Sequence, residues 1–447
     1  METVLNIELA IVNILWGMPL IILFFGTSIY LTVRMGFLQI TKFGAILRNT
    51  YFKKSSKEKR DGEITSFQAA MTTLSAMVGA GNLAGVAGAV ALGGPGVLLW
   101  MLVAGFFAMA LKFTEIVLAL RYRRVRKNGR TAGGPHFYMF DGLKKYHLTW
   151  LAYVYSFALL FFGMAGMGGS ANAISGTLLS WNGVPVNVSG AVVTFFAGLV
   201  LIGGIKRIAN VCEIMAPVMA VFYIASGLII ICLNYTQVPG AIEEIITGAF
   251  NPGAMAGGAT GSFLMTVRSG LSRGILSNEA GIGTSTLIHS AAQAKHPVEQ
   301  GLWGPMEVFV DTFVICFLTG FIIVLSGLWK LGRYDGAVLT REAFASFLPA
   351  GVGTYVVLIT VILFCFSTTL GAYRYWQMAL VNMVKNENHW LVSLSYCGLI
   401  YVMSVISFDM VWALADIAVA LMAIPNLITV LLLSNEVAQL KDEYFSK

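Results

Sequence analysis

Charge is scarce in this chain: Asp, Glu, Lys and Arg together make up 11% of its 447 residues, where soluble domains carry about 25%. Hydrophobic residues make up 57%. A water-soluble globule is thereby excluded and a polytopic membrane protein is expected. Paired cysteine spacing is missing as well. Cys212, Cys232, Cys316, Cys365 and Cys397 are scattered through apolar segments, which reads as packing and implies neither a disulfide framework nor a zinc site. No Lys or Arg precedes the first apolar run, Ile11–Val33, and no small-residue cleavage site follows it. That run is too long for a signal-peptide core and reads as a true span. No lipidation motif and no soluble domain are visible.

What is present is long apolar runs. About 20 residues suffice to cross the hydrocarbon, and eleven such spans are expected, near residues 11–33, 66–88, 95–120, 147–178, 188–204, 210–233, 258–284, 302–328, 352–382, 390–407 and 410–433. The net charge of +7 would suit an acidic partner such as nucleic acid if it formed one patch, but it falls in the short loops. One side collects Lys53, Lys54, Lys57, Lys59 and Arg60, the run from Arg121 to Lys145, Lys206–Arg207 and Arg374, while the other keeps Lys330, Arg333 and Arg341. The basic side is therefore read as cytoplasmic, with the N-terminus outside, the C-terminus inside and the bilayer, not nucleic acid, as the partner.

An internal echo divides the chain. Ser66, Phe67, Asn82, Ala84 and Gly85 recur at one offset as Ser262, Phe263, Asn278, Ala280 and Gly281. The first copy is read as running outward and the second inward. Two inverted five-helix units follow, 66–233 and 262–433, with residues 1–65 as an extra N-terminal helix and basic linker, 234–261 as an outer connection and 434–447 as a tail. The competing explanation is shared small-residue composition for helix packing.

Within Gly79–Gly96 the chain reads GAGNLAGVAGAVALGGPG. Glycine at that density weakens a helix, and irregular backbone at membrane depth persists only where it is buried or lines a watery cavity. A break near Ala76–Gly81 would aim helix carbonyls at a cation and the amides of Ala80, Gly81 and Asn82 at an anion. A binding site is thus placed around Ala76, Gly79, Ala80, Gly81 and Asn82. The paired segment reads RSGLSRGILSNEAGIG from Arg268. A second break at Val267–Leu271 would offer carbonyls and the Ser269 and Ser272 hydroxyls to a substrate ammonium, with Arg273 and Glu279 as an ion pair or gate. Gly270 to Gly274 also spells the hydrolase elbow G-x-S-x-G, but that motif belongs at a strand-to-helix turn. Ser367, Thr368 and Thr369 would suit sodium if they face the first break; each alone can bond back to its own helix. Asp311 and Asp416 are candidate ion or proton groups. Lys112 and Glu115 lie one turn apart and could pair. Thr131–Phe140 and Pro425–Asn426 read as structural punctuation.

The string VGAGN, Val78–Asn82, resembles the broken first helix of neurotransmitter:sodium symporters. The larger set resembles the alanine or glycine:cation symporter family: GGPHFY at Gly133–Tyr138, RGILSNEAGIG at Arg273–Gly283, DT at Asp311–Thr312, FSTTLG at Phe366–Gly371 and IPN at Ile424–Asn426. That resemblance implies an all-α, LeuT-like fold of five plus five helices with the first and sixth broken, and Na⁺-driven uptake of alanine or glycine. It would set Na⁺ between the Ser75 and Val78 carbonyls and the Ser367 and Thr368 hydroxyls. The substrate carboxylate would lie on the Ala80 and Gly81 amides and its amine at Ser269, Gly270 and Leu271. Family members often carry Gln near the end of the third fold helix where this chain has Ser170; if that Gln contacts substrate, Ser170 would enlarge the pocket or pass the contact to water. Proton coupling through Asp311 or Asp416 is the nearest alternative; a passive channel and an intramembrane serine hydrolase using Ser272 are the others.

Overall fold

A computed structural model describes residues 18–50, 62–125, 131–250, 261–334, 336–349, 351–384, 388–406 and 408–446. Residues 11–17 of the first expected span, 258–260 of the seventh, and the basic residues Lys53, Lys54, Lys57, Lys59, Arg60, Arg126, Lys127 and Arg130 lie outside it. The first part of the chain forms α1 (Met18–Arg34), α2 (Ser66–Met77), α3 (Val86–Gly93), α4 (Val97–Arg121), α5 (Pro135–Gly142), α6 (Leu151–Asn182), α7 (Val186–Leu201) and α8 (Gly204–Leu233). The remainder forms α9 (Gly261–Asn278), α10 (Ser285–His289), α11 (Pro297–Ser326), α12 (Gly336–Phe347), α13 (Val352–Gly371), α14 (His389–Val405) and α15 (Phe408–Phe445). Among the described residues six helices are long and apolar enough to cross a bilayer, and the bent pair of Ser66–Met77 with Gly81–Gly93 makes a seventh. Three shorter apolar helices, Pro19–Arg34, Val186–Leu201 and His389–Val405, accompany them.

Local chemistry sets where α2 begins and stops. Thr65 caps it, accepting from the Gln68 amide while the Gln68 side chain accepts from the Thr65 amide, which satisfies two otherwise orphaned donors. At the other end Val78 turns extended, with φ −79° and ψ 99°. The chain resumes as a π-helical turn over Gly81–Gly85 that leads into α3, and the two halves meet at 54°. Asn82 holds the gap: its Oδ1 accepts from the Gly79 amide at 2.9 Å. Gly79 is glycine because a Cβ there would lie 2.6 Å from Thr368 Oγ1.

The second interruption is displaced from its expected place. α9 winds without a break from Gly261 to Asn278, straight through Val267–Leu271. Gly270 serves close packing there: a Cβ on it would come within 2.6 Å of Trp100 Cβ and 2.7 Å of the Val97 carbonyl. The helix ends instead where three residues take positive φ, Glu279 at 53°, Gly281 at 84° and Gly283 at 82°, a region that right-handed helices cannot use.

The halves of the two interrupted helices pair crosswise. α2 packs on α10, and α3 packs on α9, so the two interrupted helices run antiparallel. Their ends are joined by a short parallel pairing of Ile64–Thr65 with Ala292–Gln293. α4 lies against α1, α9, α10 and α11, while α13 lies against α2, α6, α8 and α12. The breaks thereby lie among packed helices. Within α11 the stretch Phe309–Cys316 is π-helical. Its five-residue turn brings Asp311 and Cys316 onto one face, and both contact Asn82.

Candidate functional site

A cavity of about 120 Å³ lies between the two breaks. Ala76, Gly79, Ala80, Gly81 and Asn82 line one wall, and Ser277, Glu279 and Ile282 line the other. α6 contributes Phe162 and Ser170, and α13 contributes Thr368. Arg273 and Asp416 border this cavity and also a larger one of about 560 Å³ that runs past Leu92, Trp181 and Val338. They stand between the two spaces and face each other electrostatically. Arg273 and Glu279 do not make the expected pair. Glu279 instead accepts from Thr284 Oγ1 at 2.5 Å and Tyr375 Oη at 3.0 Å.

Beside the cavity, α13 meets the end of α2 through hydroxyls. Ser367 Oγ is 3.1 Å from the Ser75 carbonyl, and Thr368 Oγ1 is 3.1 Å from the Val78 carbonyl. Both hydroxyls also reach the Phe364 carbonyl, at 2.8 and 3.0 Å. Five neutral oxygens from two helices thus converge where α2 unwinds. Unwound carbonyls with hydroxyls of this kind are how a discontinuous helix holds a small hard cation. Among the described residues no group of three or more His, Cys, Asp or Glu could hold a metal ion, so a cation here would rest on neutral oxygens. The Phe364 carbonyl was not legible beforehand, although its place three and four residues before the hydroxyls is the signal.

Ser269, Gly270 and Leu271 stay away from the cavity. Ser269 lies against Gly93, and Leu271 is buried with Ile21 and Ala104. The wall that α9 gives the cavity lies instead at its C-terminal end. A continuing helix would send the Ala280 amide to the Leu276 carbonyl; it bonds Asn278 Oδ1 at 3.0 Å instead. Leu276 and Ser277 border the cavity, at the negative end of the helix dipole.

Polar side chains fix both breaks. Asn82 Nδ2 donates to Asp311 at 2.6 Å and to Ser277 at 3.1 Å, and Ser277 Oγ donates to Asp311 at 2.7 Å. Asn426, which reads as punctuation in sequence, sits at the second break. It donates to the Gly281 carbonyl at 2.9 Å and to Glu115, and accepts from Tyr138 of α5. Tyr155 Oη donates to the Ile282 carbonyl at 3.0 Å. Lys112 leaves Glu115 to Asn426 and pairs across the fold with Glu307 at 3.6 Å; helical spacing carries no sign of a partner so distant in sequence.

The sequence pattern of the Sodium:alanine symporter family matches residues 1–447. An uncharacterized transporter of Haemophilus influenzae is 39% identical over 446 residues, 100% of this chain and 97% of that one. The sodium/alanine symporter AgcS of Methanococcus maripaludis is 37% identical over 431 residues, 95% of this chain and 94% of its own. Among solved structures, MhsT in complex with L-phenylalanine superposes on 84% of this chain and 90% of its own, with a TM-score of 0.60 at 14% identity. That likeness shows a common LeuT-like fold. Family and fold are those of multi-pass membrane transporters and not of enzymes. Matched along its whole length, the chain belongs to the sodium:alanine symporter family, whose members support amino acid–cation symport.

Proposed function

We propose that this chain imports a small neutral amino acid, alanine or glycine, together with Na⁺ by alternating access. The observation that carries the reading is the convergence of the Ser367 and Thr368 hydroxyls on the Ser75 and Val78 carbonyls, beside a cavity of about 120 Å³. Na⁺ would be held by these oxygens and the Phe364 carbonyl. The substrate carboxylate would lie on the amides of Ala80 and Gly81 at the start of the second half-helix. The Ala80 amide faces the Cys365 thiol, a weak acceptor that a carboxylate displaces. The ammonium would take the carbonyls that end α9, at Leu276 and Ser277. In this reading the antiparallel broken helices belong to two inverted units, residues 66–233 and 262–433, with the N-terminus outside and the C-terminus in the cytoplasm.

Sodium at the end of α2 neutralises the negative end of that helix and sets the unwound segment for the zwitterion. A membrane potential of 100 mV contributes about 2.3 kcal/mol per charge, and a tenfold sodium gradient adds about 1.4 kcal/mol. Together they sustain accumulation of a few hundredfold for one ion per substrate, roughly 1.4 kcal/mol being a factor of ten. Radiolabelled alanine and glycine uptake into proteoliposomes under an imposed Na⁺, Li⁺ or H⁺ gradient tests this. Concentrative uptake is expected with Na⁺ alone. Accumulation driven equally by a proton gradient without sodium would transfer the coupling to Asp311 or Asp416, and flux that never exceeds equilibrium would make the protein a channel.

A further inference from the structure

A run of buried polar contacts lies alongside α2 and has no part in holding substrate or sodium. Lys112 Nζ donates to the Asn278 carbonyl at 2.7 Å and lies 2.8 Å from Met77 Sδ. Asn278 ends α9 and Met77 ends α2, so one ammonium touches both helices where they stop. Its partner Glu307 presents Oε2 to Lys112 at 3.6 Å and Oε1 to His289 Nε2 at 2.7 Å. His289 ends α10. Its Nδ1 is 2.8 Å from Gln300 Nε2, which also donates to the Ser66 carbonyl at 3.3 Å, at the start of α2. Lys112, Glu307, His289 and Gln300 are all 0–1% exposed.

The direction of these bonds is fixed by their members. Gln300 Nε2 can only donate, so His289 Nδ1 accepts and His289 Nε2 carries the proton that Glu307 receives. Gln300 has no titratable proton, so the run is not a continuous path for proton transfer. Packing does not explain it either. An apolar replacement of a buried ion pair is often as stable or more so, and ionisable groups at membrane depth are expensive to keep. What the run supplies is attachment: it fastens both ends of α2 to the ends of α9 and α10 through named atoms.

We propose that Lys112, Glu307, His289 and Gln300 form a strap that makes α2 and α10 move as one body. The four are positioning residues: none faces the cavity, and they act through the helix ends they join. The consequence for transport rests on the alternating-access reading above. Sodium that closes on Ser75 and Val78 would draw α10 with α2, and the cavity would open or shut on both walls at once.

The test reads the strap without requiring transport. Hydrogen–deuterium exchange is followed for residues 66–77 and 285–289 in the purified full-length protein, in the wild type and in Gln300→Met. This variant cuts the links to His289 and Ser66 while stranding no charge. Tied segments open together, so one common exchange rate is expected in the wild type, and a divergence of about tenfold in the variant. Glu307→Leu serves as the second variant: it removes both acceptor oxygens, and Lys112, which also faces Glu115, Glu279 and Asp311, keeps counter-charge when Glu307 is lost. Uptake by the same proteins should show a reduced maximal rate at unchanged alanine KM, which a loss of folded protein alone does not produce per molecule. Separate rates in the wild type, or common rates retained in either variant, overturn the strap. Common rates with no sodium-driven uptake would strike the transport reading and leave the strap standing.

Discussion

Asn82 Nδ2 meets Asp311 Oδ1 at 2.6 Å, while Asn82 Oδ1 accepts the Gly79 amide across the first helix break at 2.9 Å. The carboxylate therefore sets which way the carboxamide points, and the carboxamide sets the shape of the unwound segment. Asn82→Ala leaves a fully buried carboxylate short of a donor, at a cost of about 1–3 kcal/mol. Alanine affinity, measured by uptake KM and by equilibrium binding, is expected to fall about tenfold or more. Unchanged affinity would detach Asn82 from the substrate site.

In the proposed reading Thr368 serves sodium and not substrate, so its substitution tests the two apart. Thr368→Ala removes one hydroxyl from the oxygens at Val78 and Phe364 but leaves the amide wall intact. The sodium concentration for half-maximal uptake should rise about tenfold, the equivalent of about 1.4 kcal/mol, and Thr368→Ser should restore it. Gly79→Ala should mimic the loss, because its new Cβ would sit 2.6 Å from Thr368 Oγ1 and push the hydroxyl away. A variant whose alanine KM moves while its sodium dependence does not would place Thr368 on the substrate instead.

The first break was legible in the chain because its causes are local. Glycine density and Asn82 lie within a few residues of the break they act on, whereas only the fold brings Ser367 and Thr368 to the Ser75 and Val78 carbonyls and turns Thr369 back onto Cys365 of its own helix. The second was misplaced for a physical reason. Gly270 and Gly274 look like helix breakers in one dimension, yet in the fold they let α9 approach α4 within reach of Val97 and Met101. The real break needs the left-handed backbone at Glu279, Gly281 and Gly283 together with Asn426, Tyr155 and Tyr375, which arrive from other helices. Lys112 shows the same limit: helical spacing points it at Glu115, and only the tertiary fold brings Glu307 to it.

Ser269 and Gly270 give the sharpest contrast between the sequence and the structure. Gly270→Ala should weaken the α9–α4 contact and lower thermal stability by about 1–3 kcal/mol through overpacking. Selectivity between alanine and glycine should not change, since a side chain there points at Trp100 and not into the cavity. Ser269→Ala should leave uptake kinetics as they are. A change in substrate preference on Ser269→Ala, with stability intact, would restore the amine site to Ser269–Leu271.

Arg273 and Asp416, with Ala80, border both the small cavity and the larger one, which puts them beside a passage between the two spaces. Opposite charges facing each other at membrane depth are expected to hold that passage shut, and Asp416→Asn removes the attraction. If the pair contributes about 1.4 kcal/mol, the open passage becomes about tenfold more frequent. Ser170 lines only the small cavity among these two spaces, so a cysteine placed there reports on entry. In Ser170→Cys, modification by a small water-soluble thiol reagent should accelerate about tenfold when Asp416→Asn is added. The rate is read as the increment over the parent protein, because Cys232 is exposed. Modification that is equally fast with and without Asp416 would mean that the pair does not close the passage, and the barrier would then have to be sought in Phe162 and Ile282, which also line the small cavity.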